Sequence, residues 1–189
     1  MLECLVEGEI SERVSSLDRG LHYGDGVFET MAVFQGTPRF WQAHMDRLAI
    51  GCERLGLPLT PQPVLLREVQ TVSAGRRRCV VKVIITRGTS GRGYGFDREV
   101  RPNRVVCSWA WPEDPGHLEE TGIRTRICDL RLGIQPALAG LKHLNRLEQV
   151  MARAEWRDPM IHEGILLDAE DYVVSAISSN LFIVTGKRL

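Results

Sequence analysis

One lysine in this chain stands where an amine can act as a nucleophile. Lys142 lies in Gly140-Leu141-Lys142-His143-Leu144-Asn145-Arg146-Leu147-Glu148, among apolar neighbours, after a Pro- and Gly-bearing loop and before a helical pattern. Apolar surroundings disfavour the charged form of a lysine, and the neutral amine can attack a carbonyl to form a Schiff base. The competing reading is an ammonium that snorkels to water from the start of an amphipathic helix. A second stretch, Arg87-Gly88-Thr89-Ser90-Gly91-Arg92-Gly93-Tyr94-Gly95-Phe96, sets arginine and tyrosine donors on glycine hinges. Such donors suit a carboxylate, and the alternative is a flexible solvated hairpin tip. In His22-Tyr23-Gly24-Asp25-Gly26-Val27-Phe28-Glu29-Thr30 two glycines flank Asp25, so the backbone must bend tightly or approach something closely. The spacing is not that of a dinucleotide fingerprint, and a plain hairpin turn would also account for it. Arg47 lies off the apolar stripe of its helix and, unaided, is a solvated surface arginine.

The elements that must position these residues follow from periodicity. Residues 2–9 alternate weakly as a first strand, and Ser15-Ser16-Leu17-Asp18-Arg19-Gly20 is loop-like. A strand over Val27–Phe34 turns at Gly36-Thr37-Pro38. Met45, Leu48, Cys52 and Leu55 form one face of a helix over Ala43–Leu55, and a second helix runs from Val64 to about Val72. Arg76-Arg77-Arg78 is a basic turn before the β-branched strand Cys79–Thr86, which the strand Arg104–Trp111 pairs back against. Residues 112–117, polar and stiffened by Pro112 and Pro115, are the expected linker between a domain at 1–111 and one at 118–189. Beyond it the pattern predicts a strand over Ile123–Leu130 and a helix opened by Lys142 with Leu144, Leu147, Met151 and Ala154 inside. A hairpin of Gly164–Asp168 with Tyr172–Val174 follows, then a strand from Leu181 to Thr185 ending at the turn Gly186-Lys187.

Composition narrows the classes of function. The 189 residues carry 24 basic and 24 acidic side chains, so no bulk charge draws the chain to nucleic acid or an anionic membrane. No apolar run approaches the ~20 residues of a membrane span, and the acidic opening stretch is unlike a secretory leader. Cys4, Cys52, Cys79, Cys107 and Cys128 are odd in number, scattered and without a CxxC pair. They read as free, reduced core thiols of a cytoplasmic protein, with no metal site.

Taken in order, four motifs resemble those of the branched-chain-aminotransferase-like family of pyridoxal phosphate enzymes, fold type IV. They are Asp18-Arg19-Gly20-Leu21-His22-Tyr23-Gly24-Asp25-Gly26-Val27-Phe28-Glu29-Thr30, His44-Met45-Asp46-Arg47-Leu48, the lysine segment, and Ser179-Asn180-Leu181-Phe182. The resemblance covers essentially the whole chain. It implies an α/β fold of the α+β type, with a small N-terminal α/β domain, a larger C-terminal domain and pyridoxal 5'-phosphate in the cleft between them. It also implies a homodimer. By position, Lys142 is the Schiff-base lysine and Arg47 holds the cofactor phosphate. Tyr23, Lys82, Arg92 and Tyr94 line the substrate pocket, and Ser178 brings a hydroxyl near the cofactor. Ser175 occupies the place where the family sets a glutamate against the pyridine nitrogen, and a serine cannot supply that negative charge. The family's large domain continues well beyond Leu181–Val184, so the C-terminal domain is expected to be incomplete. Residues 86–94 and 138–150 look specifically like members acting on aminodeoxychorismate (4-amino-4-deoxychorismate), which release 4-aminobenzoate and pyruvate. The alternatives are an aminotransferase for D-alanine or branched-chain amino acids, and a cofactor-deficient structural homologue.

Overall fold

Alternating burial along the strand Gly26–Phe34 sets the plan of the N-terminal half. Val27, Glu29, Met31 and Val33 turn inward, while Phe28 and Thr30 turn to the other side. The computed structural model describes residues 3–96, 99, 101–112, 118–186 and 188. Residues 113–117 of the expected linker and Lys187 of the last turn lie outside the described residues. The chain divides into two compact units, the first comprising Met1–Glu113 with Gly140–Asn145, the second Asp114–Ala139 with Arg146–Leu189.

The first unit is a six-stranded antiparallel sheet with two helices on one face. Its strands are β1 (Glu3–Val6), β2 (Glu9–Ile10), β3 (Gly26–Phe34), β4 (Thr37–Pro38), β5 (Arg78–Thr86) and β6 (Asn103–Ala110), in the order β2-β1-β6-β5-β3-β4. A short helix, α1 (Arg19–Tyr23), precedes β3, and α2 (Trp41–Leu55) and α3 (Gln62–Ser73) cover the sheet. Met45, Leu48 and Cys52 from α2 and Leu65, Val69 and Val72 from α3 bury against Val27, Met31, Val33, Val81, Val83 and Ile85. This is the stripe the periodicity predicts.

Three expectations change here. Residues 15–20 are not all loop, because Asp18 caps α1 by accepting the Gly20 N–H at 2.7 Å. Lys142 does not open a helix. Gly140 sits at φ +77°, and the chain after it runs extended along the free edge of β3. The Phe28 N–H donates to Lys142 O at 2.9 Å, the Leu144 N–H donates to Gly26 O at 3.0 Å, and Val27 bridges His143. Unpaired strand-edge groups claim this segment before a local helical pattern can. Third, the cysteines are not all free thiols. The β1–β6 register sets Cys4 directly opposite Cys107, with Cα atoms 4.1 Å apart, and the two form a disulfide. Cys52, Cys79 and Cys128 are free and buried.

The second unit holds a three-stranded sheet of β7 (Arg124–Leu132), β8 (Ile161–Asp168) and β9 (Val173–Ala176), in the order β7-β8-β9. β7 and β8 are parallel, and β8 and β9 form the expected hairpin. Helix α4 (Leu118–Thr121) precedes β7, and α5 (Leu147–Arg153) lies between β7 and β8. Ala152 and Trp156 pack on Cys128 and Leu166, while Leu147 and Met151, expected inside, are exposed. Starting the helix later than Lys142 rotates a different face inward. Leu181–Val184 form no strand among the described residues and are exposed.

Candidate active site

The lysine segment is built into the first unit by backbone pairing, and that pairing decides where its amine goes. Opposed residues of an antiparallel ladder share a face, so His143 lies with Val27 on the helix-covered side. Lys142 and Leu144 therefore lie with Phe28 on the side away from α2 and α3. Lys82, opposite Thr30 in the β3–β5 register, is on that side as well. The Phe28 ring gathers the two amines: Lys142 Nζ is 4.8 Å and Lys82 Nζ 4.4 Å from its centroid. An ammonium at either position draws on the ring quadrupole. A primary amine beside a second cation is suited to an anionic carbonyl compound.

Gly26 makes this pairing possible. A Cβ there would strike the Ile85 carbonyl oxygen and lie 2.8 Å from Leu144 Cδ1.

Arg47 belongs to the helix-covered side. Glu29, buried in the middle of β3 with no exposure, accepts from Arg47 Nε at 2.6 Å, from Arg47 Nη2 at 2.6 Å and from His44 Nδ1 at 2.7 Å. Burial pushes the Glu29 carboxyl up, but the Arg47 and His44 hydrogen bonds and their charges outweigh it, and the group titrates below the ordinary glutamate range. The Glu29 hydrogen bond raises the Arg47 guanidinium in turn, so it is always charged. The Arg47 side chain is 46% exposed, and among the described residues its Nη1 makes no hydrogen bond. The arginine is thus oriented by one edge and open at the other, the form a phosphate-binding guanidinium takes.

The glycine loop forms the third part. Arg19, 4% exposed, donates to Ser90 Oγ (3.1 Å), Gly93 O (2.9 Å), Gly95 O (3.2 Å) and Tyr94 O (3.1 Å). Tyr23 accepts the Gly93 N–H at 3.3 Å, and its ring lies 5.4 Å from that of Tyr94. Arg92 and Tyr94 are themselves exposed. A cavity of about 260 Å³ opens here, with Leu17, Arg19, His22, Tyr23, Ser90 and Arg92 among its lining. Asp25 ties the base of the loop, bonded to Arg19 Nε at 2.9 Å and Arg87 Nε at 2.7 Å. Its burial works against ionisation, yet hydrogen bonds from Arg87 and Arg19 hold its carboxyl below the usual range.

Ser175 and Ser178 belong to the second unit. Ser175 is half-buried on β9 opposite Leu166. The Ser178 hydroxyl donates to Glu163 Oε2 at 2.7 Å, as does that of Ser179 at 2.7 Å. Glu163, 5% exposed, also accepts the Ser179 N–H at 3.0 Å and the Gly164 N–H at 3.0 Å. Burial opposes its charge, but these donors more than offset it and its carboxyl stays below the usual range.

Of the sequence-expected residues, the first unit brings Lys142 to Lys82 and Tyr23 to the loop carrying Arg92 and Tyr94. Arg47 takes its own place on the other side of the sheet, and Ser175 and Ser178 form a separate group. Phe28, Glu29, Arg19 and Glu163 lie outside the set of candidate residues that the sequence motifs offer. Glu29 was detectable: an acidic side chain at an inward position between Val27 and Met31 has to be paired.

A family model for amino-transferase class IV matches residues 26–189. The chain belongs to that family. It is 32% identical over 172 residues to an aminodeoxychorismate lyase of Vibrio harveyi, covering 91% of this chain and 64% of the relative. The crystal structure of 4-amino-4-deoxychorismate lyase from Pseudomonas aeruginosa superposes with a TM-score of 0.87 at 45% identity, over 94% of this chain and 65% of that one. A fold IV-transaminase from Curtobacterium pusillum gives a TM-score of 0.72 at 28% identity, over 89% and 58%. The fold is therefore that of the type IV aminotransferases. The chain spans just under two thirds of the length of these relatives.

Proposed function

We propose that this chain is the lysine-bearing part of a pyridoxal 5'-phosphate-dependent lyase that converts 4-amino-4-deoxychorismate (aminodeoxychorismate) to 4-aminobenzoate and pyruvate. The observation that carries the reading is the pair of amines at 4.8 and 4.4 Å from the Phe28 ring, on the face of the sheet away from α2 and α3. The likeness to the Pseudomonas aeruginosa lyase supports this choice of substrate.

The donor types, taken one by one, are those the cofactor calls for. Lys142 offers the primary amine that an aldehyde needs, and Arg47, oriented by Glu29, offers Nη1 to a phosphate. Ser175, which the family resemblance sets at the ring nitrogen, could offer that nitrogen a hydrogen bond but no negative charge. When bound, the cofactor supplies a conjugated ring that accepts electron density from the carbon beside the substrate nitrogen. With the cofactor bound, Lys142 Nζ would take the proton from C4 of the substrate. The C–O bond to the enolpyruvyl group breaks as the ring becomes aromatic, and the same Nζ returns the proton to the methylene carbon. No water is consumed, and the atoms of the substrate divide between the two products. The Lys82 ammonium and the Tyr23, Arg92 and Tyr94 donors suit the substrate's carboxylates. By the same family resemblance, the protein acts as a homodimer in the cytoplasm. Among the described residues, no helix is long and apolar enough to cross a membrane.

The test is pyruvate release from aminodeoxychorismate by the full-length protein loaded with pyridoxal phosphate, together with the visible absorbance of the bound cofactor. Lys142→Ala should lose both. Release that persists in Lys142→Ala, or keto-acid formation from D-alanine or branched-chain amino acids in place of pyruvate release, overturns the assignment.

A further inference from the structure

Loop 88–96 has almost nothing of its own to hold it. Glycines occupy Gly88, Gly91, Gly93 and Gly95, and Arg92, Tyr94 and Phe96 are exposed. Chains of this composition sample many conformations unless tied from outside. The tie is α1. At the base of the loop, Asp18, 2% exposed, accepts from Thr86 Oγ1 at 2.8 Å, where β5 ends, and from Asn103 Nδ2 at 3.1 Å, where β6 begins. The Arg19 N–H donates to Gly88 O at 2.8 Å. At the tip, the Arg19 guanidinium reaches three successive backbone carbonyls, Gly93, Tyr94 and Gly95, and the Ser90 hydroxyl. Asp25 fixes the guanidinium through Nε, and its Cζ lies 4.8 Å from the Tyr23 ring centre. The contacts are to main-chain oxygens, so they set the shape of the loop whatever its side chains. A lysine could not reproduce them: it has no planar fork of five donors.

We infer that Arg19 is a positioning residue that holds residues 90–95 in one shape, so that the arginine and tyrosine of the loop meet the carboxylates of the substrate in a prearranged pocket. The inference deepens the proposed function and rests on its placing of Tyr23, Arg92 and Tyr94 at the substrate. Arg19 touches no reacting atom. Its loss changes how well substrate is bound, leaving the Lys142 chemistry and cofactor binding as they are.

The experiment compares Arg19→Met, Arg19→Lys and Ser90→Ala in the full-length, cofactor-loaded protein. Three quantities are read: the rate of tryptic cleavage after Arg92, KM and kcat for pyruvate release, and cofactor affinity by absorbance titration. Arg19→Met should speed cleavage and raise KM by about tenfold each, with kcat within about twofold, the pattern of lost ground-state binding. Cofactor affinity should not change. Arg19→Lys should recover only part of the loss, and Ser90→Ala, which removes one contact, should shift cleavage and KM by about two- to threefold. Unchanged cleavage in Arg19→Met overturns the inference, and so does faster cleavage with an unchanged KM. Should Arg19→Met not fold, a Ser90→Ala protein equal to the parent in both readouts overturns it. Failure of the functional reading appears separately, as an unmodified protein that releases no pyruvate, and the cleavage contrast then still decides whether Arg19 holds the loop.

Discussion

Glu29→Gln isolates the charge that orients Arg47. The substitution keeps the shape of a side chain with no exposure and turns one of its two acceptors into a donor. In the parent, three donors at 2.6, 2.6 and 2.7 Å converge on the carboxylate. In the variant one Arg47 bond survives to the amide oxygen, while the amide NH₂ faces Arg47 Nη2 and His44 Nδ1. His44 can change tautomer and accept. Arg47 cannot, so one charge-assisted hydrogen bond is lost, worth ~1.5–3 kcal/mol. The 46% exposure of the Arg47 side chain lets water replace part of it, which sets the expectation at about 2 kcal/mol. At about 2–4 °C per kcal/mol for a chain of this size, Tm should fall by about 4–8 °C in thermal unfolding followed by circular dichroism. The pH dependence has a definite sign. The folded pKa of Glu29 lies below its ordinary 4.5, so its contribution is complete above 4.5 and is lost as pH falls through the folded value. The gap between parent and variant should therefore be constant around neutrality and close in acid. A variant as stable as the parent at pH 7, or a gap that stays the same from neutrality down to pH 3.5, refutes the reasoning.

Other substitutions probe the rest of the site. Gly26→Ala sets a methyl group against the Ile85 carbonyl and Leu144, and should destabilise the chain by about 1–3 kcal/mol in denaturant unfolding while loosening the pairing that presents Lys142. Phe28→Leu removes the ring shared by Lys82 and Lys142, at about 0.5–1 kcal/mol for each cation, and should weaken cofactor retention in an absorbance titration without unfolding the sheet. Glu163→Ala leaves the Ser178 and Ser179 donors without their shared acceptor and should destabilise the protein by about 1–3 kcal/mol in thermal unfolding. Burial pushes the Cys52 thiol up to about 11, so a thiol reagent at pH 8 should leave Cys52 unmodified in the native protein and label it after denaturation, as read by mass spectrometry.

Periodicity alone determined the elements whose burial is decided locally. The stripe Met45–Leu48–Cys52 faces a sheet because any helix with that spacing has an apolar side to cover, and the runs at Val27–Phe34 and Cys79–Thr86 are β-branched and alternate in burial. Order of motifs along the chain was also sufficient to name the family. What periodicity could not say is which distant backbone groups stand unpaired. The free edge of β3 converts the residues around Lys142 from an apparent helix start into a strand, and so turns the amine toward Lys82. The same holds for Cys4 and Cys107, separated by 103 residues and brought opposite each other only by the β1–β6 register. Arg19 is the clearest case. Among its neighbours in the sequence it is one polar residue of a turn, and only the return of the chain after β5 surrounds its guanidinium with the carbonyls that give it a task. Local pattern determines which side of an element is apolar, and tertiary pairing determines which polar groups find partners, because hydrogen bonds are satisfied by whatever is near in space.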